Sequence, residues 1–177
     1  MAAVQGRLEA FDALLAAGAR TSALRANVGP DAAYFSTVLH DLAFKNHAAL
    51  ITRVLTTGML DVHVRAGPAA GCDRCTPLHW AAGNDAPLAV SALLAAGASL
   101  TATDARGMNA LHVAIACSSA KAAQPLVQAT PPAARLQYQR EAARVVAERA
   151  RDVAARPGDA AAAAKSVAAR AIAALLA

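Results

Sequence analysis

Apolar residues along the chain recur in short blocks that favour pairs of helices over strands. The block from Thr76 to Gly97 holds two apolar runs, separated by a break at residues 83–87. Thr76 can cap the first run as a helix, and Pro77 suits the first helical position because its missing N–H loses no hydrogen bond there. Gly97 can end the second run in the left-handed conformation, so the block predicts a helix–turn–helix unit. The apolar positions of its second helix are Leu88, Val90, Leu93 and Leu94.

The same block occurs more than once in the chain. Residues 76–82 (TPLHWAA) are similar to residues 109–115 (NALHVAI) and, more weakly, to residues 37–43 (TVLHDLA). Residues 93–98 (LLAAGA) recur unchanged at residues 14–19. Internal repetition of this kind is typical of a stack of units, each of which buries its apolar face against its neighbours.

The spacing between the copies is regular. Thr37 to Gly58 and Thr76 to Gly97 both span 21 residues, and Thr76 to Asn109 spans 33 residues. Longer spacings elsewhere fall between the units, where loops tolerate insertions. We therefore expect an all-α solenoid of helix–turn–helix units with hairpin or loop connections.

The repeated block resembles the ankyrin repeat family. The resemblance rests on residues 76–82, 93–98 and 104–112 (DARGMNALH), which follow the family pattern almost throughout. It implies an ankyrin-repeat α-solenoid over residues 1–130, with about three full repeats after a partial N-terminal one. The implied units lie at approximately residues 1–19, 34–59, 73–98 and 106–130.

The chain begins inside the first helix of the first implied repeat. The end of a solenoid normally needs a polar cap, and residues 1–5 are too short to supply one. We therefore expect this chain to be a fragment of a longer array or a shortened gene product.

An alanine-rich, basic extension follows at residues 131–177. It predicts one helix over residues 133–156, a break at residues 157–159 and a final helix over residues 160–176. Three alternatives remain for it: a cap on the open end of the solenoid, a separate amphipathic segment that meets another protein, or a disordered tail. The stripe expected to be buried in the first of these helices consists of Leu136, Ala143, Val146, Ala150 and Val153.

Composition and charge exclude several classes of protein. Alanine supplies 53 of the 177 residues, and the content of charged residues is too low, at 16%, for a disordered chain. Residues 1–132 hold nine Lys and Arg against eight Asp and Glu (+1), and residues 133–177 hold eight against four (+4). This mixed surplus makes nucleic-acid binding a weak prediction.

With no secretory signal and no apolar run near the ~20 residues of a membrane helix, we expect an intracellular protein, cytoplasmic or nuclear.

The candidate chemical groups do not form a catalytic pattern. His40, His79 and His112 occupy equivalent repeat positions, where the resemblance implies a structural role. Cys72 and Cys75, with His63, could bind zinc, but a single Cys-x-x-Cys pair is a weak signal, so we expect no metal. We therefore predict that the protein is not an enzyme and needs no cofactor.

The resemblance implies that a protein or peptide partner binds in the concave groove, at the loop tips, the first helices and the inter-helix turns. We expect a monomer without a small-molecule substrate. Trp80 either anchors the partner or packs against neighbouring turns. The alternative function is an adaptor whose basic helical tail meets a coiled partner, a nucleic acid or a membrane surface. The predicted partner-binding residues are Trp80, Phe35, Tyr34, Phe44, Asp41, Arg74, Asp85, Asn84, Arg106, Met108 and Val113.

Overall fold

The computed structural model describes Ala13 and residues 36–58, 60–67, 73–156 and 158–177. The implied first repeat, the expectation about the N-terminal end of the solenoid, and Tyr34 and Phe35 therefore lie outside the described residues. Within the described part of the chain there are eight helices and no strand. They are α1 (Val38–Phe44), α2 (Ala48–Thr56), α3 (Pro77–Gly83), α4 (Pro87–Ala95), α5 (Ala110–Cys117), α6 (Ala120–Ala129), α7 (Pro132–Ala155) and α8 (Ala160–Leu176).

The helices stack in two rows. The first helices of successive pairs contact one another in the order α1, α3, α5 and α7, and the second helices do so in the order α2, α4, α6 and α8. We call the side formed by the first row, together with the loops that precede its helices, the groove face. The arrangement confirms the predicted helical solenoid and makes α7 and α8 a fourth pair in the same stack.

Histidines fix the starts of α1, α3 and α5 and join one pair to the next. In α3, Nδ1 of His79 accepts a hydrogen bond from the backbone N–H of Thr76 at 3.1 Å, so its proton lies on Nε2. That Nε2–H donates across the stack to the carbonyl of Met108 at 3.0 Å. His40 makes the equivalent bonds, to the N–H of Thr37 at 3.2 Å and to the carbonyl of Cys75 at 3.0 Å. These contacts confirm that both histidines are structural.

Burial keeps these two histidines neutral. His40 has no exposed surface, and its burial lowers its pKa from 6.5 to about 4. Burial also lowers the pKa of His79, against the opposing effect of its bond to the carbonyl of Met108. A neutral imidazole is required because Nδ1 must accept the hydrogen bond that caps the helix.

The turn between the two helices of a pair carries a second connection. Asn46 and Asp85 occupy equivalent positions and adopt the left-handed conformation, at φ 58° and 51°. Each side chain accepts a backbone N–H at the start of the next pair's second helix: Asn46 from Ala89 at 2.9 Å and Asp85 from Ala122 at 2.8 Å. Asp85, which the resemblance assigns to partner binding, therefore also holds the repeats together.

This role of Asp85 can be tested by substitution. Asp85→Ala removes the only side-chain acceptor bound to the N–H of Ala122 and places alanine in a left-handed turn. We expect the free energy of unfolding to fall by about 1–3 kcal/mol, measured by urea denaturation. Asp85→Asn is the matched control, because Asn46 makes the same contact in the preceding turn, and it should cost less than about 0.5 kcal/mol. Equal losses in the two variants would contradict the capping role.

The core runs as one seam through the stack. Leu78, Leu93, Leu111 and Leu126 are at most 2% exposed, while Leu94 is half-buried. Leu88, the first apolar position of α4, is 61% exposed. Helix α4 instead packs through a face spaced at three to four residues, and Leu88 lies off that face. The buried residues of α4 are Ala89, Val90 and Leu93.

The C-terminal pair covers the end of this seam. Helix α7 packs against α5, α8 packs against α6, and their inward side chains join the same core. Those side chains are Tyr138, Ala142, Val145, Ala169, Ile172 and Leu176. The predicted stripe on α7 is wrong: Leu136 is 61% exposed, and the helix is rotated so that Tyr138 faces the repeats.

Helix α7 takes the place of the next repeat's first helix. The side-chain amide of Asn109 donates to the hydroxyl of Tyr138 at 2.8 Å, and Nε2 of His112 lies 3.5 Å from a carboxylate oxygen of Glu141. Glu141 thus replaces the backbone carbonyl that His40 and His79 meet upstream. Farther along, the guanidinium of Arg149 donates to the carbonyl of Ala116 at 3.1 Å. The order of these contacts shows that α7 runs parallel to α5.

Candidate partner-binding surface

A recess opens on the groove face where α1, α3 and α5 meet. Its volume is about 370 Å³. The wall is mostly apolar, and five of the predicted partner-binding residues lie in it, although the sequence places them in three different repeats. The lining residues are Phe44, His79, Trp80, Gly83, Asn84, Arg106, Val113 and Cys117. We call this site the tryptophan recess.

Trp80 belongs both to the packing of the repeats and to the recess. It is half-buried, and its ring meets His40 edge-on, with centroids 5.4 Å apart, and Phe44 at 6.2 Å. The indole Nε1–H is buried and finds no hydrogen-bond partner among the described residues. The packing of Trp80 against His40 and Phe44 therefore leaves this N–H without an acceptor from the described residues.

The neighbours of Trp80 make the recess open and apolar. The side chain of Phe44 is 47% exposed, whereas Val113 is 7% exposed and forms part of the floor. Gly83 keeps the floor low, since a Cβ added there would lie 3.4 Å from a methyl group of Val113. The edge is polar: the amide of Asn84 donates to the carbonyl of Phe44 at 2.6 Å.

Arg106 brings a positive charge to the recess and is held by Asp104. Two guanidinium nitrogens of Arg106 donate to one carboxylate oxygen, at 3.0 and 3.1 Å, while the side chain of Arg106 stays 57% exposed and that of Asp104 only 1%. Burial alone would raise the pKa of Asp104, but bonds from the N–H groups of Met108 and Arg106 and from the guanidinium lower it. The carboxylate of Asp104 is therefore buried, and the guanidinium of Arg106 faces solvent.

The other predicted residues lie outside the recess. Arg74 is exposed in a loop turn at φ 59°, and Met108 is half-buried with its carbonyl bound to His79. Asp41 is half-buried on α1, where burial raises its pKa against the opposing charge of Lys45. The structure therefore spreads these three predicted residues along the groove face instead of bringing them to one point.

Sequence reasoning missed two features of this face. Arg65 donates from one nitrogen to the carbonyls of Arg74 and Thr103, at 3.0 and 2.7 Å, and so ties two successive loops together. A second recess, of about 400 Å³, lies on α7. The only sequence signal for it was the positive charge of the extension. Its lining residues are Gln137, Arg140, Glu141 and Arg144, and we call it the basic recess.

The candidate Cys-x-x-Cys site lies only partly within the described residues, which do not include Cys72. Cys75 is disulfide-bonded and fully buried, so it presents no thiolate in this state, and Cys117 is a free thiol. Across the residues that the structure describes, no three His, Cys, Asp or Glu side chains converge as metal ligands. In the same part of the chain, no helix has the length and apolar character needed to cross a bilayer.

Comparison with known proteins agrees with this architecture. A family model described as ankyrin repeats, with three copies, matches residues 39–137, which is more than half of the chain. Comparison with curated proteins gave no match. The match covers α1 to α6, the helices that carry the histidine and turn contacts described above, and it reaches the start of α7. The chain therefore belongs to the ankyrin repeat family.

Proposed function

We propose that this protein is a non-enzymatic interaction module that binds a protein or peptide partner on its groove face. Ankyrin repeats are generally protein–protein interaction modules. The observation that carries the proposal is Trp80, a large aromatic side chain in an open apolar recess with an unsatisfied N–H. Half-buried aromatic side chains in such recesses are the residues that contribute most to binding at protein interfaces.

The unsatisfied N–H gives the partner a specific role. A buried donor without an acceptor costs about 1–3 kcal/mol, and a partner carbonyl that reached it would remove that cost. Nε1 is covered in the free protein, so its neighbours must shift first. The half-exposed Phe44 ring is the neighbour with room to move.

Three buried titratable groups of the groove face are engaged in structural contacts, while Cys117, which also lines the tryptophan recess, is an exposed free thiol. His40 and His79 are held neutral and have both ring nitrogens engaged, and Asp104 is occupied by Arg106 and by backbone N–H groups. A general base or nucleophile needs a free, reachable atom beside a substrate.

A monomer in the cytoplasm or nucleus is part of the proposal. The absence of a membrane-spanning helix among the described residues is compatible with it. Structural disulfides are rare in reducing compartments, so the disulfide at Cys75 is expected to be reduced there. Alkylation of the thiols in freshly lysed source cells would measure the oxidation state of Cys75.

The proposal is tested by affinity capture from the source cells with three variants. Trp80→Ala and Phe44→Ala should each weaken capture of the partner, by about 30-fold for Trp80, the magnitude of a strong interface anchor. Leu88→Ala is the matched control, because Leu88 is also exposed and apolar but lies on α4, in the second row of helices.

Thermal unfolding of the same variants separates binding from folding. We expect Phe44→Ala to retain the melting temperature of the unmodified protein, since nearly half of the side chain is in solvent. Full capture by Phe44→Ala and Trp80→Ala, or equal loss with Leu88→Ala, would contradict a binding site in the tryptophan recess.

A further inference from the structure

The tryptophan recess and the basic recess lie near each other on the groove face. Val113 lines the first recess, and the adjacent His112 contacts Glu141, which lines the second. Helix α7 runs parallel to α5 in the row of first helices, so the groove face continues without interruption from the repeats onto the C-terminal pair. The edge of the tryptophan recess formed by Val113 is therefore about one helix spacing from α7, roughly 10 Å, and Trp80, on α3, is about two spacings from it, roughly 20 Å.

The charges on this surface are distributed unevenly. Two of its acids are occupied, since Asp104 is 1% exposed and bound to Arg106 and Glu141 is half-buried beside His112, and a third, Asp41, is half-buried on α1. Its bases face solvent, with Arg106 more than half exposed and Arg140 and Arg144 exposed on α7. Glu148, one turn beyond Arg144, is the exposed acid that limits the positive charge at the far end of α7.

From this juxtaposition we propose that the partner is an acidic protein segment that bridges the two recesses, with α7 as part of the binding site. A large apolar side chain of the segment enters the tryptophan recess, and one or two carboxylates, roughly 10–20 Å away, meet Arg140 and Arg144. That separation corresponds to about three to six residues of extended chain or about seven to thirteen residues of helix. The C-terminal pair then has two roles, because it covers the solenoid and also supplies the end of the binding surface.

A protein segment fits this surface better than a nucleic acid. The apolar recess needs a large side chain, and the exposed carboxylate of Glu148, one turn beyond Arg144, would repel a run of phosphates. Arginine pairs with a single carboxylate through two parallel hydrogen bonds, so one or two acids suffice. This inference rests on the proposed function and adds the chemistry of the partner and the contribution of α7.

The test uses the full chain and a random library of 12-residue peptides displayed on phage. We expect the selected peptides to combine one large apolar residue with an excess of Asp and Glu. The best of them, synthesised with a fluorescein label, is then measured by fluorescence anisotropy. The double variant Arg140→Glu and Arg144→Glu should weaken its binding by at least about tenfold at low salt, and less at high salt.

Matched variants make each outcome decisive. Lys165→Glu with Arg170→Glu reverses the same amount of charge on exposed positions of α8 and should leave the affinity unchanged. If Trp80→Ala abolishes binding but the α7 double variant does not weaken it, the groove is retained as the binding site and the acidic-partner inference is wrong. If neither variant matters, both proposals fail. Tight binding of a fluorescein-labelled 20-nucleotide RNA that depends on Arg140 and Arg144 would overturn the choice of a protein partner.

Discussion

The substitution Ile172→Ala is expected to lower the free energy of unfolding of the whole described stack by about 2–5 kcal/mol, the cost of a large-to-small change in a close-packed core. Ile172 lies on α8 and is 1% exposed, within the same core cluster as the leucines of the repeats. Because the seam is continuous, a cavity beneath the C-terminal pair weakens the packing of α8 against α6. The measurement is urea denaturation followed by the fluorescence of Trp80, the only tryptophan of the chain, which reports on the repeats.

Val167→Ala is the matched control for this experiment. It shortens an apolar side chain on the same helix, but Val167 is 66% exposed, so its effect should stay within about 0.5 kcal/mol. An unchanged Trp80 transition in Ile172→Ala would show that the C-terminal pair folds separately from the repeats, and the role of a cap would then be lost.

Acidification should also destabilise the protein strongly, through the buried histidines. In the folded protein the pKa of His40 is about 4, so the ring stays neutral down to about that pH. In the unfolded chain the ring has a pKa of 6.5 and binds a proton below that pH. The unfolded state therefore binds more protons as the pH falls, and stability is complete above pH 6.5 and declines toward pH 4. For His40 alone the loss is about 3 kcal/mol.

Other groups change this profile in known directions. The lowered pKa of His79 adds to the loss of stability as the pH falls. The raised pKa of Asp41 opposes this loss at low pH. Denaturant midpoints at pH 7, 5.5 and 4.5 measure the slope. His40→Gln should unfold more easily at pH 7 and show a shallower dependence. A flat profile in the unmodified protein would refute the assignment of His40 as a buried neutral group.

Much of the solenoid could be predicted from the sequence because its determinants are local. A capping residue, a histidine three positions later and a closing glycine define the first two helix pairs, and Gly97 indeed follows α4 at φ 87°. The structural role of His79 could be predicted for the same reason, since its position repeats with the unit. These signals lie within one repeat and depend little on distant packing.

What could not be predicted depends on contacts between units. The buried face of α7 is set by Tyr138, whose ring lies 4.9 Å from that of His112, and nothing in the periodicity of α7 itself distinguishes this face from the neighbouring stripe through Leu136. The bond from Ala122 to Asp85 spans 37 residues. The tryptophan recess likewise combines Phe44, Trp80 and Val113 from three repeats, so only its individual members could be proposed in advance.

The length of the C-terminal helices has a consequence for self-association. The exposed end of a solenoid offers a second copy a surface that matches its own repeats, and head-to-tail contacts of this kind grow into open fibres. Helices α7 and α8 have 24 and 17 residues, against 7 to 10 in α1 to α6. The hydrogen bond that Asn46 and Asp85 make to the next pair is also missing at the equivalent Ser118, whose buried hydroxyl has no partner among the described residues. A second copy that docked on the fourth pair would find neither helices of matching length nor the next turn in register, so this pair interrupts the periodicity on which such polymerisation depends.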